Sequence, residues 1–334
     1  MTRALDSPSA LVEGITAGDR RALARAITLA ESTRADHRDI AEEVLETLLP
    51  RTGGAIRVGV SGPPGVGKST FIEAFGTHVI DEGHRLAVLA VDPSSRRTGG
   101  SILGDKTRMA ELSHRAEAFI RPSPGSGHLG GVARRTREAM LLCEAAGFDV
   151  VLVETIGVGQ SEVAVADMVD LFALLVAPAG GDELQGIKRG IMELADLVIV
   201  NKADGDLAPA AGRTRADYAS AVHLLRPKWH GWATEVHSVS ALTGSGIDEI
   251  WGAIVRFCTA VGADGELAVA RAGQATAWLW SEIGDTLVDR FRASPSVMAL
   301  MPTVEADVAA GKLAPARAAR QLLDAFSVGQ DGLR

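Results

Sequence analysis

Short runs of apolar residues alternate with longer amphipathic stretches between residues 55 and 262. Strands that are apolar on both faces and separated by helices predict a mostly parallel central sheet covered by helices, that is, an α/β fold. Such a sheet binds its ligands beyond the carboxyl ends of its strands, and polar or glycine-rich residues follow several of these runs. The predicted strands lie at residues 56–60, 86–92, 118–122, 149–155, 171–177, 196–202 and 235–241.

Apolar residues recur at helical spacing on both sides of this region. Residues 1–54 form a predicted N-terminal helical extension, which closes at Pro50 and two glycines. Residues 263–334 form a predicted C-terminal helical arm for docking or dimerisation. The chain is therefore predicted to consist of two helical flanks around a nucleotide-binding domain at 55–262, for the reasons given next.

The segment GPPGVGKST directly follows the first predicted strand and precedes a helix that we expect to start near Thr70. It matches the P-loop pattern GxxxxGK[ST], in which glycines let backbone N–H groups point at phosphate oxygens. Lys68 would place its ammonium on the β- and γ-phosphates, and the Ser69 hydroxyl would bind Mg²⁺. A glycine-rich turn that only connects a strand to a helix is the alternative. The predicted phosphate-binding residues are Gly62, Pro63, Pro64, Gly65, Val66, Gly67, Lys68, Ser69 and Thr70.

An NKxD pattern ends the sixth predicted strand. A carboxylate at Asp204 can accept hydrogen bonds from guanine N1–H and the exocyclic amine, a pair of donors that adenine lacks on this edge. We expect Lys202 to lie along the base plane and Asn201 to brace the loop. A strand-end turn with a solvated charge pair is the alternative. The predicted guanine-binding residues are Asn201, Lys202, Asp204, Ser240, Ala241 and Leu242, of which the last three end the next strand.

Three acids, Asp92, Asp105 and Glu154, lie at or near predicted strand ends. A carboxylate at the end of a buried strand is costly unless a cation meets it. Mg²⁺ on a nucleotide keeps several waters and takes one or two protein oxygens, so three acids exceed its need. We expect Ser69 and Asp92 nearest the ion and Glu154 bound through a water, while Asp105 orients the attacking water or orders its loop. A surface or capping role is the alternative for each acid.

Composition and charge limit the classes of molecule that the protein is expected to bind and the compartment in which it is expected to lie. The net charge of −8 and the pI of about 5.5 argue against a nucleic-acid binder, which carries a basic footprint. Cys143 and Cys258 are far apart and outside any CxxC pattern, which fits a reducing compartment. The apolar stretch at 171–181 is too short to span a bilayer, and the first fifty residues are too acidic for a transit peptide. We expect a cytoplasmic protein with no membrane partner.

Taken together, the motifs resemble those of the MeaB/ArgK-like GTPases, chaperones of methylmalonyl-CoA mutase in the SIMIBI class of P-loop proteins. The resemblance covers the whole chain. In other GTPases a DxxG follows the corresponding strand, whereas here Glu154 to Gly157 form ExxG, the mark of this branch. The segments that carry the resemblance are, in order, GPPGVGKST, VDPSS with GGSILGDKTRM, VETIGVGQSE, PAGGDELQGIK and NKAD.

The resemblance implies a chaperone that binds and hydrolyses GTP. It would gate the loading of adenosylcobalamin into a cobalamin-dependent acyl-CoA mutase, such as methylmalonyl-CoA mutase, and eject damaged cofactor. It also implies a homodimer held by the C-terminal helices, with the N-terminal helices contacting the mutase. By position, switch I surrounds residues 92–105, switch II spans 154–160, and a third switch spans 180–188.

Hydrolysis of GTP needs a positioned water. Ras-type proteins place a glutamine directly after DxxG, but here this place is Val158, and Gln160 follows two residues later. We therefore expect slow hydrolysis that the partner completes, with a Gly157 N–H near the γ-phosphate. Asp182, Gln185 and Lys188 are candidates to swing toward the nucleotide, a polar helix start being the alternative. The predicted catalytic residues are Lys68, Asp105, Glu154, Gln160 and Lys188.

Three other functions stay open. A nickel or zinc metallochaperone GTPase would share the glutamate switch, but the eight histidines and two cysteines form no metal-handling cluster in the sequence. A P-loop small-molecule kinase would need an acceptor pocket, and the NKAD and ExxG motifs argue against it. The third is a GTP-gated adaptor with negligible turnover.

Overall fold

A computed structural model of the protein describes residues 7–91, 109–122, 129–155, 161–178 and 189–331. Within these residues, seven parallel strands form one sheet in the order β3-β2-β4-β1-β5-β6-β7. All seven predicted strands are confirmed, as is the α/β fold with helices on both faces of the sheet. The strands are β1 (Ile56–Ser61), β2 (Leu86–Val91), β3 (Ala118–Pro122), β4 (Val150–Thr155), β5 (Leu171–Val176), β6 (Leu197–Val200) and β7 (Glu235–Ser238).

Helices precede, alternate with and follow these strands. The N-terminal ones are α1 (Pro8–Thr16), α2 (Arg20–Ala30) and α3 (Ala35–Leu48). Those among or directly after the strands are α4 (Lys68–Asp81), α5 (Ala110–His114), α6 (Leu129–Ala145), α7 (Ser161–Ala166), α8 (Arg189–Leu194), α9 (Ala208–Val222) and α10 (Ile247–Ala263). The last are α11 (Glu266–Ala293), α12 (Pro295–Ala309) and α13 (Pro315–Asp331).

Successive residues of the central strand β1 face the two opposite sides of the sheet. Val58 and Val60 belong to the core that contains α4 and α10. Gly59, between them, faces the opposite layer, where a Cβ atom would lie 2.9 Å from Val165 Cγ1 of α7. The absence of a side chain at Gly59 therefore lets α7 lie close against the sheet.

Helix α2 and the residue after it contact the edge strand β3 of the sheet. Arg20 of α2 donates a hydrogen bond to the carbonyl oxygen of Ala118 in the edge strand β3. Arg121, in the same strand, forms an ion pair with Glu31 and also donates to Thr28 Oγ1 at 3.2 Å. An uncovered strand edge invites pairing with other chains, so these contacts protect the sheet as well as anchor the extension.

The chain forms two compact units, Met1–Gln274 and Ala275–Arg334. In the second unit, Phe291 and Phe326 meet edge to face at 5.6 Å beside a small apolar core of Val297, Val304, Ala318 and Leu322. The division into three parts at 1–54, 55–262 and 263–334 stays a prediction. Among the described residues, no helix combines the length and the apolar character that crossing a bilayer requires.

Candidate functional site

The P-loop joins β1 to α4. At two of its positions, a side chain larger than glycine would clash with neighbouring atoms. A Cβ atom on Gly62, whose φ is +156°, would lie 2.4 Å from the carbonyl oxygen of Leu175 in β5. Gly67 has φ +90° at the N-cap of α4, and a Cβ atom there would lie 2.8 Å from Asn201 Nδ2. Helix α4 begins at Lys68, two residues earlier than predicted, because the left-handed Gly67 already turns the chain into the helix.

Lys68 folds back over its own loop. Its ammonium donates hydrogen bonds to the carbonyl oxygens of Gly62 at 2.6 Å and Pro63 at 3.3 Å. Burial lowers the pKa of Lys68, whereas the nearby carboxylates of Glu154 and Glu162 raise it. The lysine is therefore already positioned within the loop that would enclose a phosphate group.

Glu154 lies at the end of β4, beside the strand that leads into the P-loop. It is paired in register with Val60 of β1 and Ala90 of β2 and is only 4% exposed. The next residue, Thr155, donates a hydrogen bond to Ser61 Oγ at 2.8 Å, which ties the end of β4 to the end of β1. Carboxylate and hydroxyl oxygens are the ligands that Mg²⁺ takes, so the donors offered by Glu154 and Ser69 fit that ion.

The NKxD loop is bonded directly to the P-loop. The Asn201 side chain donates from Nδ2 to the carbonyl oxygen of Val66 at 3.0 Å and accepts at Oδ1 from the Ala241 N–H at 3.1 Å. Lys202 Nζ donates to the carbonyl oxygen of Gly65 at 2.7 Å. Asn201 thus holds three segments together, namely the P-loop, the end of β6 and the turn after β7.

Asp204 lies beside the turn after β7. Its carboxylate accepts a hydrogen bond from the Ser240 hydroxyl, and Ala203 N–H donates to Val239 carbonyl oxygen at 3.0 Å. Leu242 follows with 81% of its surface exposed, so its apolar side chain is free to pack on a ligand. The six residues predicted to bind guanine therefore lie on two neighbouring loops at the carboxyl edge of the sheet.

Several predicted residues lie outside the described ranges. Their roles in metal binding, γ-phosphate contact and switching stay predictions, as do the bounds of the three switches. These residues are Asp92, Asp105, Gly157, Gln160, Asp182, Gln185 and Lys188.

One residue of this region was not predicted from sequence. Glu162, in the first turn of α7, is 0% exposed and acts electrostatically on Lys68. Its signal in the sequence is its spacing: it precedes the buried Val165 and Ala166 by three and four positions, which places an acid on the inward face of the helix.

The amino-acid sequence is similar to that of a known protein family and to two bacterial relatives. The family model described as "Methylmalonyl Co-A mutase-associated GTPase MeaB" matches residues 23–296. The chain is similar to a putative GTPase of Caulobacter vibrioides, 56% identical over 98% of this chain and 100% of the relative. It is also similar to GTPase ArgK of Escherichia coli, 52% identical over 83% of this chain and 84% of the relative.

A mouse relative and a solved structure extend the comparison. The "methylmalonic aciduria type A homolog, mitochondrial" of Mus musculus is 52% identical over 95% of this chain and 79% of the relative. A crystal structure described as a LAO/AO transport system kinase has a TM-score of 0.75 and 40% identity, over 97% of this chain and 98% of the other. The similarity thus extends to the overall fold.

Proposed function

Because the chain belongs to the MeaB family of methylmalonyl-CoA mutase-associated GTPases, we propose that it is a GTP-dependent chaperone of a cobalamin-dependent acyl-CoA mutase. The observation that carries the nucleotide part of this proposal is the pair of links from Asn201 and Lys202 to the P-loop. These links join the loop predicted to bind the base to the loop predicted to bind the phosphates, which supports one continuous binding surface for a nucleotide. A GTP or GDP molecule laid along it would contact Asp204 with its base and Lys68 with its phosphates.

The phosphate end would work through charge and backbone dipoles. The P-loop amides and the start of α4 would surround the phosphates, and Lys68 would exchange its carbonyl partners Gly62 and Pro63 for phosphate oxygens. Mg²⁺ would be held by Ser69 and Asp92, with Glu154 through a water, and would supply charge neutralisation at the phosphates. Asp105 and Gln160 would orient water at this end.

Hydrolysis by the protein alone should be slow. The glutamine after the ExxG motif is displaced to Gln160, so the attacking water lacks the usual orienting residue. The mutase would complete the site by drawing Asp182, Gln185 and Lys188 of the third switch toward the nucleotide. GTP turnover would then be coupled to the mutase, in gating adenosylcobalamin loading and in protecting or reactivating the enzyme.

The assembly that we propose is a homodimer in the cytoplasm. Along α11, all of whose residues the structure describes, no residue is fully buried. Five large apolar side chains between positions 279 and 288 are at least 38% exposed, and an exposed apolar face of this kind is typical of an interaction surface. They are Leu279, Trp280, Ile283, Leu287 and Val288.

The decisive experiment measures hydrolysis of GTP and ATP with and without a purified cobalamin-dependent acyl-CoA mutase, together with co-purification of the two proteins in each nucleotide state. We expect GTP preference, stimulation by the mutase, and a complex whose stability depends on the nucleotide. If no nucleotide-dependent complex forms with any such mutase, the chaperone role fails even where GTPase activity is found.

A small-molecule kinase is the second candidate, because one similar structure is described as a transport system kinase. It would prefer ATP and leave a phosphorylated small molecule as product. The same assay distinguishes the two, since a chaperone GTPase releases inorganic phosphate in proportion to GDP. A metallochaperone of the same branch would instead show nucleotide-dependent binding of nickel or zinc.

A further inference from the structure

Ser61 and Thr155 form a buried pair of hydroxyl groups beside the P-loop. Both residues are 0% exposed, and Thr155 Oγ1 donates a hydrogen bond to Ser61 Oγ at 2.8 Å. Polar groups cost free energy when they are buried, and the apolar residues of similar size, alanine and valine, would fit buried strands without this cost. Packing alone therefore does not account for the pair, and no binding role has been assigned to either residue above.

The bond lies at the point where the backbone pairing between β1 and β4 ends. The last paired positions of these two strands are Val60 and Glu154. Ser61 and Thr155 each come one position later, so their side chains continue the connection by one residue. Beyond this bond β1 leads into the P-loop and β4 leads into the predicted switch II. The hydroxyl pair thus joins the two strands at the start of both loops.

The hydroxyl pair and the Glu154 carboxylate belong to opposite faces of the sheet. Glu154 is in register with Val60, whose side chain belongs to the core that contains α4. Because side chains alternate along a strand, Ser61 and Thr155 lie on the other face, the one that Gly59 presents to α7. Their bond therefore acts on the backbone behind Glu154 rather than on a bound ion or nucleotide.

Mg²⁺ would need the two strand ends at a fixed spacing. In the proposed function the ion takes an oxygen of Ser69, at the start of α4, and reaches Glu154 through a water. Mg²⁺ accepts only near-ideal octahedral geometry, with oxygens about 2.0–2.1 Å away. Residues behind the direct ligands of a metal commonly change its affinity by about 10- to 100-fold. A bond that fixes Glu154 relative to the P-loop is therefore in a position to control Mg²⁺ binding.

We propose that Ser61 and Thr155 are positioning residues that set how strongly Mg²⁺ tightens nucleotide binding. Their bond holds the Glu154 end of β4 against the start of the P-loop, so Glu154 and Ser69 stay at the spacing that one ion requires. Loss of the bond lets the two ends move apart and weakens binding of the ion, while the P-loop still encloses the phosphates. The inference rests on the nucleotide and Mg²⁺ sites of the proposed function.

The test removes each hydroxyl, and then both, in the full-length protein. Thr155→Val replaces Oγ1 by a methyl group of similar size, Ser61→Ala removes Oγ, and Thr155→Ser keeps the hydroxyl. Isothermal titration gives the dissociation constant of GTPγS, a slowly hydrolysed analogue of GTP, with EDTA and with Mg²⁺. The ratio of the first constant to the second, called the Mg²⁺ ratio below, measures the contribution of the ion. Urea unfolding measures the stability of each variant.

We expect the Mg²⁺ ratio to fall about tenfold in both single variants and in the double variant, and to stay near that of wild type in Thr155→Ser. Stability should follow a different order. Thr155→Val and Ser61→Ala each leave one buried hydroxyl without its partner and should unfold at lower urea, whereas the double variant leaves none and should recover part of the loss. A positioning role therefore predicts a double variant that regains stability but keeps the low Mg²⁺ ratio.

A matched control is Thr234→Val. Thr234 lies before β7, at the opposite edge of the sheet, and donates from Oγ1 to the carbonyl oxygen of Ala195 at 2.8 Å. This variant should lose stability without a change in the Mg²⁺ ratio. A ratio that falls in the control or in Thr155→Ser, recovers together with stability in the double variant, or keeps the wild-type value throughout overturns the inference alone. A wild-type protein that binds no nucleotide, or binds it equally with EDTA and with Mg²⁺, overturns the proposed site as well.

Discussion

Lys202 adopts a backbone conformation, φ +61°, that residues with a side chain rarely occupy. Holding such a conformation costs on the order of 1 kcal/mol, so surrounding contacts must enforce it. Two of them are the bond from Lys202 Nζ to Gly65 and the bonds of the preceding Asn201. At the scale of single residues, the strained backbone of Lys202 thus directs its side chain to the P-loop, while Asp204 lies beside Ser240 in the turn after β7.

Replacement of Asp204 tests this arrangement. In Asp204→Asn one carboxylate oxygen becomes an amide donor, so the pair of acceptors for guanine is lost, whereas the C2 oxygen of xanthine gains a donor. We expect GTP affinity to fall about 10- to 100-fold and xanthosine triphosphate to compete better than before, measured by competition binding. Asp206→Asn, at an exposed position two residues away, is the matched control. Unchanged GTP affinity in Asp204→Asn would contradict the guanine assignment.

The two cysteines give a prediction about pH. Burial, with a further contribution from Asp170, raises the pKa of Cys258 to about 11, and Cys143 is fully buried. Only the thiolate reacts with iodoacetamide, so alkylation of Cys258 at pH 8 should be about 100-fold slower than that of a cysteine with a pKa near 9. The rate should rise with pH until about pH 11. Rapid labelling of the folded protein at pH 8, followed by mass spectrometry, would contradict this environment.

At the scale of elements, Arg271 near the start of α11 forms hydrogen bonds with two separate segments of the first unit. Its guanidinium binds the buried Asp170 at 2.8 and 2.6 Å and donates to the carbonyl oxygens of Gly53 and Ala55. Asp170 also accepts from the Arg57 N–H at 2.8 Å. The linker before β1, the turn before β5 and α11 therefore share one charge cluster at the edge of the sheet opposite the nucleotide site.

Loss of this arginine should destabilise the first unit. Arg271→Ala leaves Asp170, which is 1% exposed, as a buried charge without its main partner, at a cost of about 3 kcal/mol in the free energy of unfolding. Arg271→Lys should lose less, because it keeps the charge without the two-pronged geometry. Urea unfolding provides the measurement, and Arg34→Ala, which breaks the exposed pair with Asp36, should leave the midpoint unchanged. Equal unfolding midpoints for Arg271→Ala and Arg34→Ala would contradict the stabilising role of Arg271.

Features that are local in the sequence could be predicted from it, whereas contacts between distant segments could not. Strands buried on both faces leave continuous apolar runs, so all seven were predictable, and Asn201, Lys202 and Glu154 were found because they end such runs within local motifs. Arg271 and Asp170 are 101 positions apart and belong to no motif, so only the folded chain brings them together. Glu162 was missed for a related reason: an acid in a short helix usually lies on its solvated face, and only the packing of α7 on Gly59 turns it inward.

At the scale of the whole molecule, the exposed apolar surface of α11 indicates a site of protein association. The exposed apolar residues of α11 recur at intervals of three and four, which places them along one side of the helix, with Trp280 and Leu287 68% and 53% exposed. A face of this kind pairs readily with its own copy about a two-fold axis, because the same patch then serves both subunits. The dimer that we propose would bury it.

Two charges placed on this face should separate the subunits. In the double variant Trp280→Glu with Leu287→Glu, each pairing would bury four uncompensated carboxylates, so we expect the mass in sedimentation velocity to fall from dimer to monomer at micromolar concentration. Leu224→Glu, at a position 86% exposed in the first unit, is the matched control and should leave the mass unchanged. GTP affinity should stay the same in both variants, since the nucleotide residues all belong to the first unit. A wild-type protein that sediments as a monomer, or a charged variant that remains a dimer, would assign this apolar face to another partner and leave the nucleotide site as proposed.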